Sequence, residues 1–217
     1  MAHEGVGGGQ ASIEHEDPSP GEAELLALAI KELLIEKGIL AAEEVRRTVE
    51  ATDRRTPELG RRLVARAWVD PAFKQRLLAD GATAAEELGI DPLGTRLVVL
   101  ENTPEIHNLV VCTLCSCYPR AILGLPPDWY KSRPYRSRAV KEPRAVLAEF
   151  GTGIPDSVEV RVHDSTADMR YLVLPMRPPG SDGMGETELA RLVTRDCMIG
   201  VSLPLDPGQR AAGAAAE

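Results

Sequence analysis

Three of the chain's four cysteines fall within six consecutive residues, Cys112, Thr113, Leu114, Cys115, Ser116 and Cys117. That clustering makes the segment a chelator, and a chelating loop needs an irregular backbone held by its flanks. Around one metal, the thiolate and backbone nitrogen of Cys117 close a five-membered ring, and the nitrogens of Ser116 and Cys117 close a second. The Cys115 sulfur with the Ser116 nitrogen closes a six-membered ring, so four donors can lie in a plane. Cys112 can add an axial sulfur and leave the sixth octahedral position open, as catalytic rather than structural metal sites do. Cys-x-x-Cys alone is more often half of a zinc site or a redox pair. A tetrahedral zinc would need a fourth ligand, for which only His107 or Cys197 singly offer themselves. A disulfide inside so short a loop would be strained and would leave one thiol over.

The surroundings in sequence suit such a loop. Arg96 to Leu100 and Leu109 to Val111 read as short β-branched strands separated by a polar turn, and the second runs directly into Cys112. After Cys117, Tyr118-Pro119 and Gly124-Leu125-Pro126-Pro127 prevent regular structure, and Asp128 reads as a helix cap. Before residue 90 the chain is helical. Ser19, Pro20 and Glu22 predict a helix start, Leu26, Ile30, Leu33 and Leu34 form its apolar stripe, and Gly38 stops it. Further helices are expected near Glu43 to Thr52, Glu58 to Trp68 and Ala72 to Leu78, the last two opened by Thr56-Pro57 and Asp70-Pro71, with a capping box at Thr83 to Glu86. The first two helices are either a hairpin on its own core or an arm that wraps another subunit.

Beyond the loop, a basic run (Arg133, Arg136, Arg138, Lys141, Arg144) is either a solvated face or a neutraliser of buried thiolates. Trp129 and Tyr130 read as packing residues. Strands are expected over Val158 to Val162, Tyr171 to Leu174 and Ile199 to Leu203, with a turn through Asp164, Ser165 and Thr166 and a helix near Glu186 to Thr194. The fold class is therefore α+β, an N-terminal helical arm followed by a mixed layered α/β core of short strands carrying the metal loop. Residues 1–18 read as a disordered tail, 19–90 as arm and helices, 91–204 as catalytic core, and 205–217 as a flexible tail.

No apolar run approaches the roughly 18 residues of a membrane span, and Glu4, Glu14, Glu16 and Asp17 replace the basic-then-apolar start of a secretory signal. A cytoplasmic location is the expectation, where clustered thiols bind metal or catalyse rather than cross-link. The formal net charge of -8 argues against a nucleic-acid partner.

The stretch Val111-Cys-Thr-Leu-Cys-Ser-Cys-Tyr-Pro119 resembles the metal site of the nitrile hydratase α subunit and of the related thiocyanate hydrolase γ subunit. The likeness extends to Arg66-Ala-Trp-Val-Asp-Pro71, Glu101-Asn-Thr-Pro104, His107-Asn108, Leu123-Gly-Leu-Pro-Pro-Asp-Trp-Tyr-Lys131, Tyr135-Arg-Ser-Arg138 and Val193-Thr-Arg-Asp196, over roughly residues 22 to 203. The resemblance implies one low-spin Co(III) or Fe(III) per subunit, held by the thiolates of Cys112, Cys115 and Cys117 and the deprotonated amides of Ser116 and Cys117. Thr113 and Tyr118 resemble the cobalt pattern, so cobalt is expected over iron. It further implies Cys115 oxidised to sulfinic and Cys117 to sulfenic acid, and a β-type partner whose arginines hold those oxygens and which completes the substrate pocket. The expected assembly is an α2β2 or larger hetero-oligomer, with a metallochaperone for loading and no membrane. Arg170 and Asp168 match positions that support the site, and Cys117 is the expected nucleophile or base. Two departures stand out: Arg120 occupies the place of a usual Trp, and Leu93 that of a usual Gln. A positive charge at Arg120 suits an anion such as thiocyanate, while the Asp164-Ser-Thr-Ala-Asp-Met-Arg170 segment leans toward nitriles as substrates.

Overall fold

The computed structural model describes residues 21–115 and 117–208. They fall into two compact units, divided between Val49 and Glu50.

The first unit holds α1 (Glu22–Glu36) and opens α2 (Ala42–Asp53). Helix α1 starts at Gly21, whose N–H is accepted by the Glu24 carboxylate at 2.9 Å; the expected cap at Ser19 and Pro20 lies outside the described residues. Neither helix buries a single residue, so the apolar stripe of α1 is not packed into a core of its own.

In the second unit α3 (Pro57–Val69), α4 (Pro71–Ala79) and α5 (Gly81–Glu87) precede the first strand. Proline at the first helical position costs no hydrogen bond there, and Asp70 caps α4 by accepting from Phe73 N–H at 2.9 Å. Helix α5 is capped by Asp80, which accepts from the N–H groups of Ala82 and Thr83, so Thr83 lies inside the helix rather than at its cap. The expected boundary near residue 90 separates helices from strands in sequence but not in packing: Leu63, Val64, Phe73, Leu77 and Ala84 share one buried core with Leu97, Val99, Leu109 and Leu172.

Four strands follow among the described residues, β1 (Arg96–Glu101), β2 (Ile106–Val111), β3 (Glu159–Asp164) and β4 (Met169–Leu174). Strand β1 pairs parallel with β4, Arg96 opposite Met169, and β2 pairs parallel with β3, Val111 opposite Asp164. Parallel pairs require long crossovers, and these run through α6 (Arg120–Leu123), α7 (Asp128–Lys131), α8 (Arg133–Lys141) and α9 (Pro143–Glu149). Asp128 opens α7 behind Pro127 instead of capping it.

The C-terminal region departs from expectation. After α10 (Glu186–Ala190), Arg195–Ile199 forms helix α11, with the Thr194 hydroxyl accepting from Cys197 N–H at 3.2 Å and Gly200 ending it at φ 90°. The last strand expected over Ile199 to Leu203 is therefore absent. A short apolar run has no periodicity of its own, and the cap and glycine decide for helix. No described helix is long and apolar enough to cross a membrane.

Strand β2 begins three residues earlier than its β-branched run, with Ile106, His107 and Asn108. His107 and Asn108 are buried because each is satisfied. The Asn102 carboxamide oxygen accepts from the Asn108 N–H at 2.8 Å, and Asn108 Nδ2 donates to the Glu101 carbonyl at 2.8 Å. His107 Nε2 donates to the Gly200 carbonyl at 2.7 Å, which leaves Nδ1 to accept from Asn102 Nδ2 at 3.3 Å. Burial holds the His107 pKa below its ordinary value. The unfolded chain binds a proton there near pH 6.5 while the folded chain does so only at lower pH, so stability is full above that range and falls on acidification through it. His163, also depressed chiefly by burial, acts in the same sense. Melting curves between pH 7.5 and 5.5 are expected to show a smaller acid-induced loss for His107→Gln than for the unsubstituted chain; parallel losses would refute the assignment.

Candidate metal centre

Strand β2 ends in the cysteine loop, and β3 ends beside it. At that junction Asp164 accepts from the Thr113 N–H at 2.9 Å and from the Thr113 hydroxyl, fixing the loop's first turn to the end of β3. Arg136 of α8 holds the same turn from the other side, Nε donating to the Cys112 carbonyl at 3.1 Å and Nη2 to the Thr113 carbonyl at 2.8 Å. Downstream, the Tyr130 hydroxyl donates to the Cys117 carbonyl at 2.8 Å. Tyr130 is itself fixed in an aromatic cluster, edge-on to Tyr118 at 5.0 Å and to Trp129 at 5.9 Å. The Tyr135 hydroxyl donates to the Val110 carbonyl at 2.6 Å, anchoring the strand end. The loop backbone is thus fastened at both ends by side chains from elements distant in sequence.

This scaffold brings the sulfurs of Cys112, Cys115 and Cys117 within 4.8 Å of one another. Cys112 is buried, Cys117 half-buried and Cys115 exposed, and none is in a disulfide. The Cys112–Cys115 and Cys115–Cys117 sulfur separations are 3.5 Å and 3.2 Å. With metal–sulfur bonds of about 2.3 Å, sulfurs at right angles stand about 3.3 Å apart and those at the tetrahedral angle about 3.8 Å. The 3.2 Å separation matches sulfurs at right angles around one ion, and the 3.5 Å separation lies between the two values. The fourth ligand a zinc clip would need is missing from this cluster among the described residues. His107 is at the far end of β2, about 17 Å of strand away, and Cys197 is buried in α11 with its thiol donating to the Thr194 carbonyl at 3.1 Å. Burial pushes the Cys197 thiol up to about 11. Burial, then the neighbouring Cys115, pushes the Cys117 thiol up to about 12, against which Arg170 pulls down. Three adjacent thiols so placed become thiolates together only when a cation compensates them.

Of the other expected site residues, Arg170 lies near Cys117 electrostatically, while its Nη1 donates to the carbonyls of Thr166, Ala167 (2.9 Å) and Met169 (3.3 Å), closing its own turn. It also lines a narrow crevice with Pro92, Pro119 and Ile122. Arg120 is exposed at the start of α6, and Leu93 is exposed on the turn before β1 with φ 58°. The Asp168 side chain is exposed and forms no ion pair among the described residues. Ser116 lies outside the described residues.

The nitrile hydratase, alpha chain family model matches residues 21–202. The chain belongs to the nitrile hydratase α-chain family. It is 51% identical over 183 residues to a low-molecular weight cobalt-containing nitrile hydratase subunit alpha of Rhodococcus rhodochrous, covering 83% of this chain and 88% of that one. It is 46% identical over 193 residues to the thiocyanate hydrolase subunit gamma of Thiobacillus thioparus, covering 83% and 79%. Its fold superposes on a double mutant of the Fe-type nitrile hydratase from Comamonas testosteroni Ni1 with a TM-score of 0.79, at 44% identity over 87% of this chain and 94% of that one.

Within this member of the family the structure adds residues that local pattern did not single out. Asp164 reads in sequence as an ordinary turn residue and Tyr130 as packing, yet both fasten the cysteine loop. The basic run, read in sequence as either a solvated face or a neutraliser of buried thiolates, contributes one member to the loop backbone. Arg136 is hydrogen-bonded to loop carbonyls, while Arg138 pairs with Glu142 and Glu149, and Arg144 donates to the carbonyls of Ile154, Pro155 and Val158.

Proposed function

We propose that the chain is the α subunit of a cobalt-dependent nitrile hydratase, a lyase that adds water across a carbon–nitrogen triple bond to give the amide. The single observation that carries the reading is the triangle of sulfurs at the end of β2, close enough together to share one metal ion. Low-spin Co(III) would be held by Cys112, Cys115 and Cys117 with the amides of Ser116 and Cys117, and would supply there a Lewis acid that polarises the nitrile or acidifies water. Cobalt is favoured over iron by Thr113 and Tyr118 and by the cobalt-containing relative.

The chain's own residues do the rest. Oxidised to the sulfenic acid, Cys117 presents an oxygen that either attacks the nitrile carbon or takes the proton of an attacking water. Cys115 as the sulfinic acid adds negative charge beside it. Arg170 balances that charge from the β4 side, with Asp168 two residues before it in sequence. Ser116 contributes its amide. Asp164, Arg136 and Tyr130 keep the loop's backbone from relaxing. Arginines of a β-type partner hold the sulfur oxygens and complete the pocket, which makes a hetero-oligomer in the cytoplasm the working form.

A second reading, hydrolysis of thiocyanate to carbonyl sulfide and ammonia, is favoured by Arg120 and by the thiocyanate hydrolase relative. The two separate in one assay. The cobalt-loaded complex with its partner subunit is expected to convert a simple nitrile to its amide and to release no ammonia from thiocyanate. In that case Arg120→Trp changes nitrile kcat/KM by less than about threefold, since an outward-facing charge contributes little to a neutral substrate. Thiocyanate turnover that Arg120→Trp lowers by about a hundredfold would make Arg120 the anion-binding group and reverse the assignment.

A further inference from the structure

The basic run left by the sequence without a function borders the cysteine loop as one wall of a groove. About 700 Å³ in volume, it lies between Thr113 and helix α8, where it is lined by Arg133, Arg136, Ser137, Val140 and Lys141. Those five stand at i, i+3, i+4, i+7 and i+8 and so form a single helix face. Of the run's cations, Arg136, Arg138 and Arg144 are engaged within the chain as described above. Arg133 and Lys141 are exposed and join no ion pair among the described residues. Between them Val140 is an apolar side chain 51% exposed, and Leu114, at the tip of the loop beside Thr113, is 89% exposed. The whole chain carries 33 acidic against 25 basic residues, so the groove's charge is opposite in sign to the chain's net charge. Its charge selects a negatively charged occupant, its exposed valine selects one with an apolar side chain, and a second copy of this chain paired two-fold about the groove would set the same positive face against it.

We infer that the groove seats an acidic segment of the partner subunit, with carboxylates meeting Arg133 and Lys141 and an apolar side chain covering Val140. The inference rests on the reading of this chain as one subunit of a hetero-oligomer. Arg136 carries the consequence to the metal loop: the guanidinium that lines the groove also holds the carbonyls of Cys112 and Thr113. A carboxylate seated beside it stiffens the loop it holds, so partner docking and loop geometry become linked.

The test uses the full chain with its co-expressed partner subunit. Dissociation constants are measured across a salt series for the unsubstituted chain and for Arg133→Glu/Lys141→Glu. The reversed pair is expected to bind about tenfold more weakly or worse, and to lose the salt dependence of the original. In parallel, a carbodiimide cross-linker applied to the unsubstituted complex is expected to join Lys141 to an Asp or Glu of the partner, a readout that stands even if the charge-reversed chain fails to fold. Unchanged affinity with no cross-link at Lys141 would overturn the inference while leaving the subunit reading intact. Cross-linking of Lys141 to a second copy of this chain would likewise remove the partner subunit as occupant. No association of the unsubstituted chain with the partner would overturn the subunit reading and the inference together.

Discussion

Replacing Cys117 by serine is expected to leave a folded chain that holds less than about a tenth of its metal and has lost at least a thousandfold in turnover. A serine hydroxyl is a hard, weakly acidic donor in the place of a soft thiolate. It cannot be oxidised to the sulfenic acid proposed above as nucleophile or base. The half-buried position offers no compensation, because the sulfurs of Cys112 and Cys115 alone cannot close the ring made by the Cys117 sulfur and amide. Metal content by mass spectrometry and the visible sulfur-to-metal absorption band report the loss independently of any substrate. Cys197→Ser is the control, since Cys197 lies in α11 away from the cluster, and it is expected to keep metal and band. Full metal retention by Cys117→Ser would remove Cys117 from the ligand set whatever the enzyme does.

The second large effect is structural. Gly200→Ala is expected to cost at least about 3 kcal/mol and to lower the melting temperature by about 6–12 °C for a chain of this size. The left-handed φ of 90° disfavours any side chain, at about 1–2 kcal/mol. A methyl group there would in addition overlap the Asn108 carbonyl oxygen and stand 3.2 Å from Leu109 Cα. Nothing flexible can give way, because both are backbone atoms of β2, and the Gly200 carbonyl is committed to His107. Gly89→Ala isolates the conformational part: its φ is 72° and nothing lies within 4 Å of the added carbon, so about 1 kcal/mol is expected. Equal destabilisation by the two substitutions, read from denaturant melts, would show that α11 does not press on β2 as described.

The parts of this molecule legible in sequence are those written locally. The cysteine loop at a strand end, stopped by Tyr118-Pro119, is one; the Asp70-Pro71 start of α4 is another, because cap and proline act within four residues. What local pattern could not convey is pairing. Nothing near Val111 indicates that its partner is Asp164 in a parallel register, and a polar turn between two strand-like runs reads equally well as a hairpin. For the same reason Asp164 and Arg136 were invisible as supports of the loop, their partners being 51 and 23 or 24 residues away. The missing final strand failed differently. Ile199 to Leu203 is apolar but interrupted by Gly200, and the threonine cap before it outweighed strand propensity. His107 and Asn108 were hidden because a polar residue extends a buried strand only when specific neighbours, here Asn102 and Gly200, satisfy it.

The hydrogen bonds from Thr113 to Asp164 also set a clock on biosynthesis. Thr113, inside the cysteine loop, leaves the ribosome 51 residues ahead of the carboxylate that fastens it, and at roughly 5–20 residues per second that lead lasts about 3–10 s. During those seconds the nascent chain displays three neighbouring thiols with no β3 to shape them, open to whichever oxidant or metal arrives first. Fidelity of the finished centre therefore depends on the chemistry of the ribosome's surroundings as well as on the fold.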